Sequence, residues 1–164
     1  FNTPVSLSHE VSMKDILQAY PFSNTLVTAD ITGGQLKTAM ERSASFVDFR
    51  NEEFVEAEDF APGKDERYNY DFYRGVSYTF DLNEKKGERV KRLIWKNIDL
   101  LENPETEIRI VLNSYRASGT GGYDVYRELK NSTAISVDIQ DALIASFENR
   151  VVEVPSKTDF SVKI

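Results

Sequence analysis

The sequence predicts an α+β fold, a single compact domain of mixed sheet with packed helices. At 164 residues, 40% of them hydrophobic, the chain has the size and apolar content of one domain with its own core. Its strand-like and helix-like segments follow one another without the regular alternation of a doubly wound parallel sheet. We therefore assign residues 1–164 to one domain.

Capping residues and hydrophobic spacing predict the first helix. In "SMKDILQAY", Ser12 can cap a helix with Asp15 at the reciprocal position of a capping box. Pro21 ends the helix, because the residue before a proline is biased away from helical backbone angles. Four apolar residues fall on one face of this helix: Met13, Ile16, Leu17 and Tyr20. This spacing is typical of an amphipathic helix.

A strand, a tight turn and a second helix follow. "TLVTADI" alternates like a half-buried strand, "TGG" at 32–34 makes the turn, and "QLKTAMERSASF" spaces its apolar residues like a helix. The acidic segment 47–71 is interrupted by aromatic residues and carries "APGKDE". We expect a long irregular excursion there, docked by its aromatic side chains.

The second half of the chain is predicted to start with a hairpin. "GVSYTFDL" and "RVKRLIW" flank the turn "NEKKG" and put Val76, Tyr78 and Phe80 on one face. "ENPETE" then makes a turn before the strand "IRIVLN". The remaining predicted segments are the helix "DVYRELK", a short apolar run "AIS", a helix near "DIQDALIASF" and a final strand "VVEV".

Composition excludes several kinds of function for this chain. A net charge of -7 opposes binding to duplex nucleic acid, which requires a basic face, and no apolar run approaches the length of a membrane span. The absence of cysteine excludes thiolate metal sites. His9 is the single histidine, and metal-dependent hydrolases draw on several. We expect no catalytic residue and no metal or other cofactor in this chain.

The stretch "NSYRASGTGGY" at 113–123 holds more glycine than a plain strand-to-helix turn needs. By itself this loop is weak evidence for a phosphate-binding site, because it lacks the lysine of a P-loop and the full dinucleotide fingerprint. Glycines also serve ordinary turns. An aromatic residue here, Tyr115, requires a further explanation.

Three stretches together resemble a known family. "AYPFSNTLVTADITGGQLKTAME", "YNYDFYRGVSYTFDLNEKKGERVKRL" and "IRIVLNSYRASGTGGYDVY" look like the signatures of the C-terminal, nucleotide-recognising domain of the 5'-nucleotidase family, in the family's order. "YNYDFYRGVSY" and "NSYRA" are most similar to the bacterial branch that hydrolyses 2',3'-cyclic nucleotides and 3'-nucleotides. A general 5'-nucleotidase is the alternative within the family.

The resemblance implies a set of substrate-binding residues. Family members grip the base between two aromatic rings, which correspond here to Phe22 and Tyr115. Asn24 matches the position whose amide reaches the base edge, and Tyr68 lies in the stretch that lines the same slot. Asp71 is the expected substitute for an aspartate of the family pattern. Two aromatic faces form a slot that accepts a base without demanding one particular base.

The glycine loop departs from the family pattern at one position. Where 5'-nucleotidases carry an aspartate in "GGDG", this chain has Gly121 within "GTGG", and this departure favours the cyclic-nucleotide branch. We expect the glycines to leave space for a flat ligand and to permit positive φ beneath Tyr115. Arg116 could contact phosphate, although an arginine in an acidic chain more often forms a surface ion pair.

The family architecture implies a second domain. In these enzymes an N-terminal metallophosphoesterase domain holds a pair of divalent metal ions and the catalytic residues, and this domain holds the base. The chain, which begins at Phe1, is then expected to be the specificity half of a secreted or surface bacterial phosphoesterase and inactive alone. Its partners would be a nucleotide or nucleoside and its own N-terminal domain. A non-catalytic nucleotide-binding or surface interaction module is the alternative.

Overall fold

The computed structural model describes residues 7, 9–58, 60, 67–148, 151–152 and 160–163. Helices and strands mix in it without regular alternation, which confirms the α+β prediction. The helices are α1 (Met13–Ala19), α2 (Gly33–Ala44), α3 (Ser114–Ala117) and α4 (Ile139–Phe147), and short 3-10 helices span Arg67–Asn69 and Asp124–Glu128. The strands are β1 (Thr25–Thr32), β2 (Val47–Arg50), β3 (Glu53–Glu56), β4 (Ser77–Asp81), β5 (Val90–Trp95), β6 (Ile98–Asp99), β7 (Glu107–Asn113), β8 (Lys130–Asp138) and β9 (Phe160–Lys163).

Within the described residues, the strands pair into three sheets. β1 is central in an antiparallel sheet of order β7-β1-β8, and β2 pairs with β3 as a separate hairpin. The third sheet has the order β6-β5-β4-β9, in which β9 runs parallel to β4. One core cluster connects α2 with the first and third sheets, and its most deeply buried large side chains include Tyr78, Tyr123, Phe80, Ile31 and Met40.

Helix α2 starts directly at the end of β1, earlier than the sequence predicts. Thr32 is the N-cap and exchanges capping-box hydrogen bonds with Gln35. Gly33 therefore lies in the first turn of the helix, and its N–H donates to the Thr106 carbonyl at 3.0 Å. A Cβ at Gly33 would lie 3.0 Å from the Leu100 Cβ. This glycine thus allows the helix start to approach the segment before β7 closely.

Helix α1 has the predicted capping box, since Ser12 and Asp15 bond one another's backbone N–H groups. Its predicted apolar face is only partly buried: Ile16 is buried, whereas Met13 and Leu17 are 60% and 40% exposed. The helix is two turns long and packs against α4. A short contact of this kind covers one apolar residue and leaves the flanking ones exposed.

The prediction of an irregular excursion over 47–71 is wrong for residues 47–56, which form the β2–β3 hairpin. Asn51 and Glu52 make its turn with φ of 53° and 67°, the backbone of a two-residue hairpin turn. Asn51 suits that backbone, but glutamate seldom adopts it, so the pair Asn51–Glu52 lacks the glycine of the usual turn signature. Aromatic docking is confirmed at Phe60, which is 4% exposed and lies 5.0 Å from the Phe46 ring.

The hairpin predicted around "NEKKG" is confirmed as β4 and β5. Its predicted inner face, formed by Val76, Tyr78 and Phe80, is buried. The hydrophobic alternation of β4 was therefore sufficient to define which side faces the core.

Several predictions for the C-terminal part need correction. The segment "DVYRELK" is a 3-10 helix followed by β8, not an α-helix, and β8 includes the run "AIS". Helix α4 confirms the prediction for "DIQDALIASF". Val151 and Val152 form no strand, and the rest of "VVEV" lies outside the described residues. β9 was not predicted, because its pairing with β4 depends on a distant segment.

Candidate functional site

The predicted aromatic residues converge because β1 and β7 are antiparallel neighbours. Leu26 pairs with Asn113, so β1 begins at the end of the sheet where β7 finishes. The Thr25 N–H donates to the Ser114 hydroxyl at 3.2 Å, which fastens the two chain segments together. The loop that precedes β1 and the loop that follows β7 consequently lie side by side.

A cavity of about 260 Å³ opens between these loops. All five residues proposed from the sequence to bind substrate line it, and their role in binding stays a prediction. Its lining consists of Tyr20, Phe22, Ser23, Asn24, Tyr68, Asp71, Asn113, Tyr115 and Arg116. A larger cavity of about 530 Å³, along β7 and residues 71–76, shares Asp71, Asn113 and Arg116 with the first.

Three aromatic rings are in contact along the smaller cavity. The Tyr68 ring centroid lies 6.1 Å from that of Phe22 and 6.4 Å from that of Tyr115. Phe22 is 45% exposed, as expected of a ring that presents a face to solvent rather than to the core. Tyr20 meets Phe22 edge-on, at a ring-centroid distance of 6.2 Å.

The Asn24 side chain is oriented by hydrogen bonds on both ends of its amide. Its Nδ2 donates to the Tyr20 hydroxyl at 3.1 Å, and its Oδ1 accepts from the Ser114 hydroxyl at 3.4 Å. An amide has two N–H donors and two acceptor lone pairs. Among the described residues, one N–H donor and one acceptor lone pair of the Asn24 amide therefore have no protein partner and are left for a ligand.

A buried ion pair connects the two cavities. Arg116 is 5% exposed, and its Nη2 donates to Asp71 Oδ1 at 2.8 Å while its Nε lies 2.7 Å from Asp71 Oδ2. Burial raises the pKa of the Asp71 carboxyl, and the guanidinium charge opposes that rise. The interpretation of Arg116 as a surface ion pair is therefore wrong, since the acid it pairs with is largely buried.

Asn69 explains why position 121 is a glycine. Asn69 is 1% exposed, and its Oδ1 accepts a hydrogen bond from the Tyr115 hydroxyl at 3.3 Å. A Cβ at Gly121 would lie 2.3 Å from that Oδ1 and 2.6 Å from Arg116 Nη1. An aspartate at position 121 would require Asn69 to move. The glycine that replaces the family aspartate at this position is therefore explained by the buried side chain of Asn69.

The glycines of this loop accommodate protein side chains. Gly119, Gly121 and Gly122 all have positive φ, as predicted. A Cβ at Gly119 would lie 2.7 Å from Arg127, and one at Gly122 would lie 2.6 Å from Arg42. The predicted function of these glycines as space for a flat ligand is thus wrong in this structure, because neighbouring side chains fill that space.

A buried network of hydroxyl groups connects helix α2 with the chain segments around Asn69 and Tyr123. Ser43 on α2 bonds the hydroxyls of Tyr73 at 2.9 Å and Tyr123 at 2.8 Å. The Tyr123 hydroxyl donates to the Asn69 carbonyl at 2.7 Å. Burial raises the pKa of Tyr123 to about 12, so its hydroxyl stays protonated at physiological pH and remains a donor.

Sequence reasoning missed Tyr20, Ser114 and Asn69 as residues that support the slot. Tyr20 was assigned to the face of α1, yet its position two residues before Phe22 could have indicated a role in the loop. Ser114 is the first residue of α3, directly after the N-cap Asn113, so a hydroxyl at this helix start could have indicated a role beside the loop. Asn69 carries no local signal, because the hydrogen bonds described above join it to Tyr115, Arg116 and Tyr123, which are far along the chain.

Across the part of the chain that the structure describes, no three His, Cys, Asp or Glu residues lie together in a group that could hold a metal ion. None of the described helices is long and apolar enough to cross a bilayer. The residues that line the smaller cavity offer aromatic contacts, amide hydrogen bonds and one buried ion pair to a ligand.

Comparisons with known proteins agree on one family. The sequence profile of the 5'-nucleotidase C-terminal domain matches residues 1–128. The trifunctional nucleotide phosphoesterase protein YfkN of Bacillus subtilis (strain 168) is 30% identical over 122 residues, which cover 73% of this chain and 7% of that protein. The chain therefore spans a small part of this relative.

Two solved structures share the fold. A Staphylococcus aureus protein assigned as a 5'-nucleotidase, solved with alpha-ketoglutarate, superposes with a TM-score of 0.85 at 35% identity, over 94% of this chain and 30% of its own. The 5'-nucleotidase precursor of Thermus thermophilus gives a TM-score of 0.70 at 22% identity, over 93% and 28%. This chain belongs to the 5'-nucleotidase C-terminal domain family.

Proposed function

We propose that this chain binds the base of a nucleotide and serves as the specificity domain of a metal-dependent phosphoesterase that releases nucleosides. The observation that carries the proposal is the meeting of Phe22, Tyr115 and the Asn24 amide at one cavity of about 260 Å³. Ring faces attract any nucleobase, and an oriented amide supplies the directional hydrogen bonds. Membership of the 5'-nucleotidase family supports this assignment.

The ion pair is suited to the sugar side of the ligand. Asp71 and Arg116 lie where the two cavities meet, next to Asn113. The Asp71 carboxylate is an acceptor for ribose hydroxyl groups, and its side chain is 23% exposed. The base would then lie among the rings, with the sugar extending toward this pair.

The phosphate chemistry is assigned to another domain. We infer a preceding metallophosphoesterase domain that carries a pair of divalent metal ions and the catalytic groups. The short share of YfkN and of the S. aureus protein that this chain spans supports a larger parent protein. The substrates are 2',3'-cyclic nucleotides and 3'- or 5'-nucleotides, and the location is extracellular or at the bacterial surface.

Substitution of Tyr115 tests the base-binding role. In the protein that carries both domains, Tyr115→Ala should weaken substrate binding by about 1 to 3 kcal/mol, since one stacking face is lost. The Michaelis constant and the melting temperature are measured together. A collapsed melting temperature with unchanged substrate affinity in the remaining folded molecules would assign Tyr115 to the core instead.

Titration of the chain itself is the second test. Adenosine should bind weakly at millimolar concentration and shift the NMR signals of Phe22 and Tyr115. No phosphoesterase activity should appear with manganese, zinc or calcium. Shifts that map away from both rings would contradict the slot, and metal-dependent turnover would contradict the assignment of catalysis to another domain.

A further inference from the structure

The ion pair between Arg116 and Asp71 is exposed mainly at its negative end. Both residues line both cavities, but the Arg116 side chain is 6% exposed and the Asp71 side chain is 23% exposed. The accessible part of the pair therefore belongs mainly to the acid. A ligand group that reaches the pair from the cavities meets acceptor oxygens more readily than guanidinium donors.

The Arg116 guanidinium is turned toward protein groups. Its Nη1 donates to the Thr120 carbonyl, and its Nη2 donates to Asp71 Oδ1 at 2.8 Å and to the Asn69 carbonyl at 3.4 Å. Its Nε lies 2.7 Å from Asp71 Oδ2, and the guanidinium carbon lies 4.0 Å from the centroid of the Tyr123 ring. These contacts suit Arg116 to hold the Asp71 carboxylate in place rather than to bind a phosphate.

The Asp71 carboxylate keeps acceptor capacity beside Arg116. Each of its oxygens lies within 2.8 Å of one guanidinium nitrogen, and a carboxylate has about four lone-pair sites in all. An ionised carboxylate accepts hydrogen bonds and donates none, so it attracts a hydroxyl group and repels a second anion. Partial burial strengthens both effects, because the local dielectric constant is lower than that of water.

We propose that Asp71 selects the position of the phosphate on the nucleoside: it accepts a hydrogen bond from one free sugar hydroxyl and rejects nucleotides phosphorylated on that same oxygen. The inference rests on the proposed function, in which the base lies among the rings and the sugar extends toward Asp71. A phosphate on the facing oxygen would remove the donor and place a second negative charge beside the carboxylate.

This inference divides the substrates of the proposed function into two groups. If the 5' hydroxyl faces Asp71, the site accepts 2',3'-cyclic nucleotides and 3'-nucleotides and rejects 5'-nucleotides. If the 2' or 3' hydroxyl faces Asp71, the site accepts 5'-nucleotides and rejects nucleotides that carry phosphate on the facing oxygen. In both orientations one sugar position is decisive, first as a required hydroxyl and second as a forbidden phosphate.

Two ligand panels test the inference by NMR titration of the unaltered chain. In the first panel, one of 2'-, 3'- and 5'-deoxyadenosine should bind about tenfold more weakly than adenosine, since it lacks the hydroxyl that donates to the carboxylate. In the second panel, the adenosine monophosphate phosphorylated on that same oxygen should bind more weakly than the other two isomers.

Asp71→Asn should reduce both preferences, because the amide is neutral and can donate as well as accept. Asp30→Asn is the matched control. Asp30 also forms an ion pair with an arginine, Arg109, at 2.7 Å, but it borders neither cavity, so this variant should keep both preferences. Each preference is a ratio of affinities within one variant, so a smaller folded fraction of Asp71→Asn does not change it.

The outcomes separate this inference from the proposed function. If Tyr115→Ala binds adenosine as well as the unaltered chain, the base slot and the proposed function are wrong. If Tyr115→Ala loses affinity but all three deoxyadenosines bind like adenosine, the slot stands and the inference about Asp71 is overturned. Preferences that fall on different sugar positions in the two panels, or that persist in Asp71→Asn, overturn it as well.

Discussion

Arg89 and Arg116 are two arginines buried to the same degree, each 5% exposed, in different parts of the molecule. Arg89, between α2 and the β4–β5 hairpin, donates to the carbonyls of Glu84, Ala44 and Val47 and to Asp48. Each of its three guanidinium nitrogens donates a hydrogen bond, and the residue borders neither cavity.

Arg116 pairs with the Asp71 carboxylate and borders both cavities. Among the described residues its Nε is buried without a hydrogen bond, although it lies 2.7 Å from Asp71 Oδ2 as an ion pair. The comparison shows how one residue type serves two purposes. Arg89 joins structural elements, whereas Arg116 holds a carboxylate at the border of both cavities.

The largest expected effect is at Arg89. Arg89→Ala should lower the free energy of unfolding by about 3 to 5 kcal/mol, because it leaves several carbonyls buried without their donor and removes the buried partner of Asp48, whose other partners, Arg50 and Lys86, are more exposed. Urea denaturation measures the change, with Arg92→Ala on the same hairpin as the exposed control, expected within about 0.5 kcal/mol of the unaltered protein. Equal losses of unfolding free energy in Arg89→Ala and Arg92→Ala would mean that the buried contacts of Arg89 do not stabilise the fold.

Gly121→Ala should cost about 2 to 4 kcal/mol of unfolding free energy, because φ at this position is +80° and the new Cβ would collide with Asn69 and Arg116. Gly87→Ala is the matched control, since φ there is +91° with nothing within 4 Å of the added Cβ. The control should lose about 1 to 2 kcal/mol, from backbone strain alone. Chemical denaturation of both variants separates the steric clash of the new Cβ from the backbone strain. Equal losses of unfolding free energy would show that Asn69 moves aside at no cost.

Asp48 gives a prediction about pH. Burial alone raises the pKa of its carboxyl, but Arg89, Lys86 and Arg50 outweigh burial and hold the pKa below its usual value of 3.8. A lowered folded pKa means that the stabilisation is present above pH 3.8 and is lost as the pH falls through the folded value.

Asp48→Asn should accordingly cost about 1 to 3 kcal/mol at about pH 7, and the difference from the unaltered protein should shrink as the pH drops below about 4. Urea denaturation across a pH range of about 3 to 7 measures it. A difference that is constant with pH would mean that the carboxylate charge is not what Arg89 requires.

The smallest effect is expected for Tyr115→Phe. The hydroxyl bond to Asn69 is long, at 3.3 Å, so its loss should change unfolding free energy by less than about 1 kcal/mol. Nucleoside affinity should fall by no more than about twofold, because the ring face does the stacking. Denaturation and adenosine titration of this variant measure the two quantities. A large loss of affinity would instead indicate that Asn69 sets the ring's orientation through that bond.

Local chemistry explains which parts of the structure could be predicted from the sequence. The Ser12–Asp15 capping box and the alternation of β4 are decided within a few residues, and both are confirmed. The grouping of Phe22 and Tyr115 came from resemblance, and the cavity lined by both agrees with it. The burial of Arg116 depends on a partner 45 positions away, so no local pattern could indicate it.

The hydrogen bond from the Thr25 N–H to the Ser114 hydroxyl joins residues 89 positions apart in the chain. Closing so long a loop costs entropy before any contact compensates for it, and pairings of this range tend to form late and slowly in folding. The two sides of the slot belong to segments that the pairing of β1 with β7 brings together across this distance. Nucleoside binding should therefore report completed folding. A nascent chain in which Ser114 has not yet been synthesised would expose Phe22 without the Tyr115 ring.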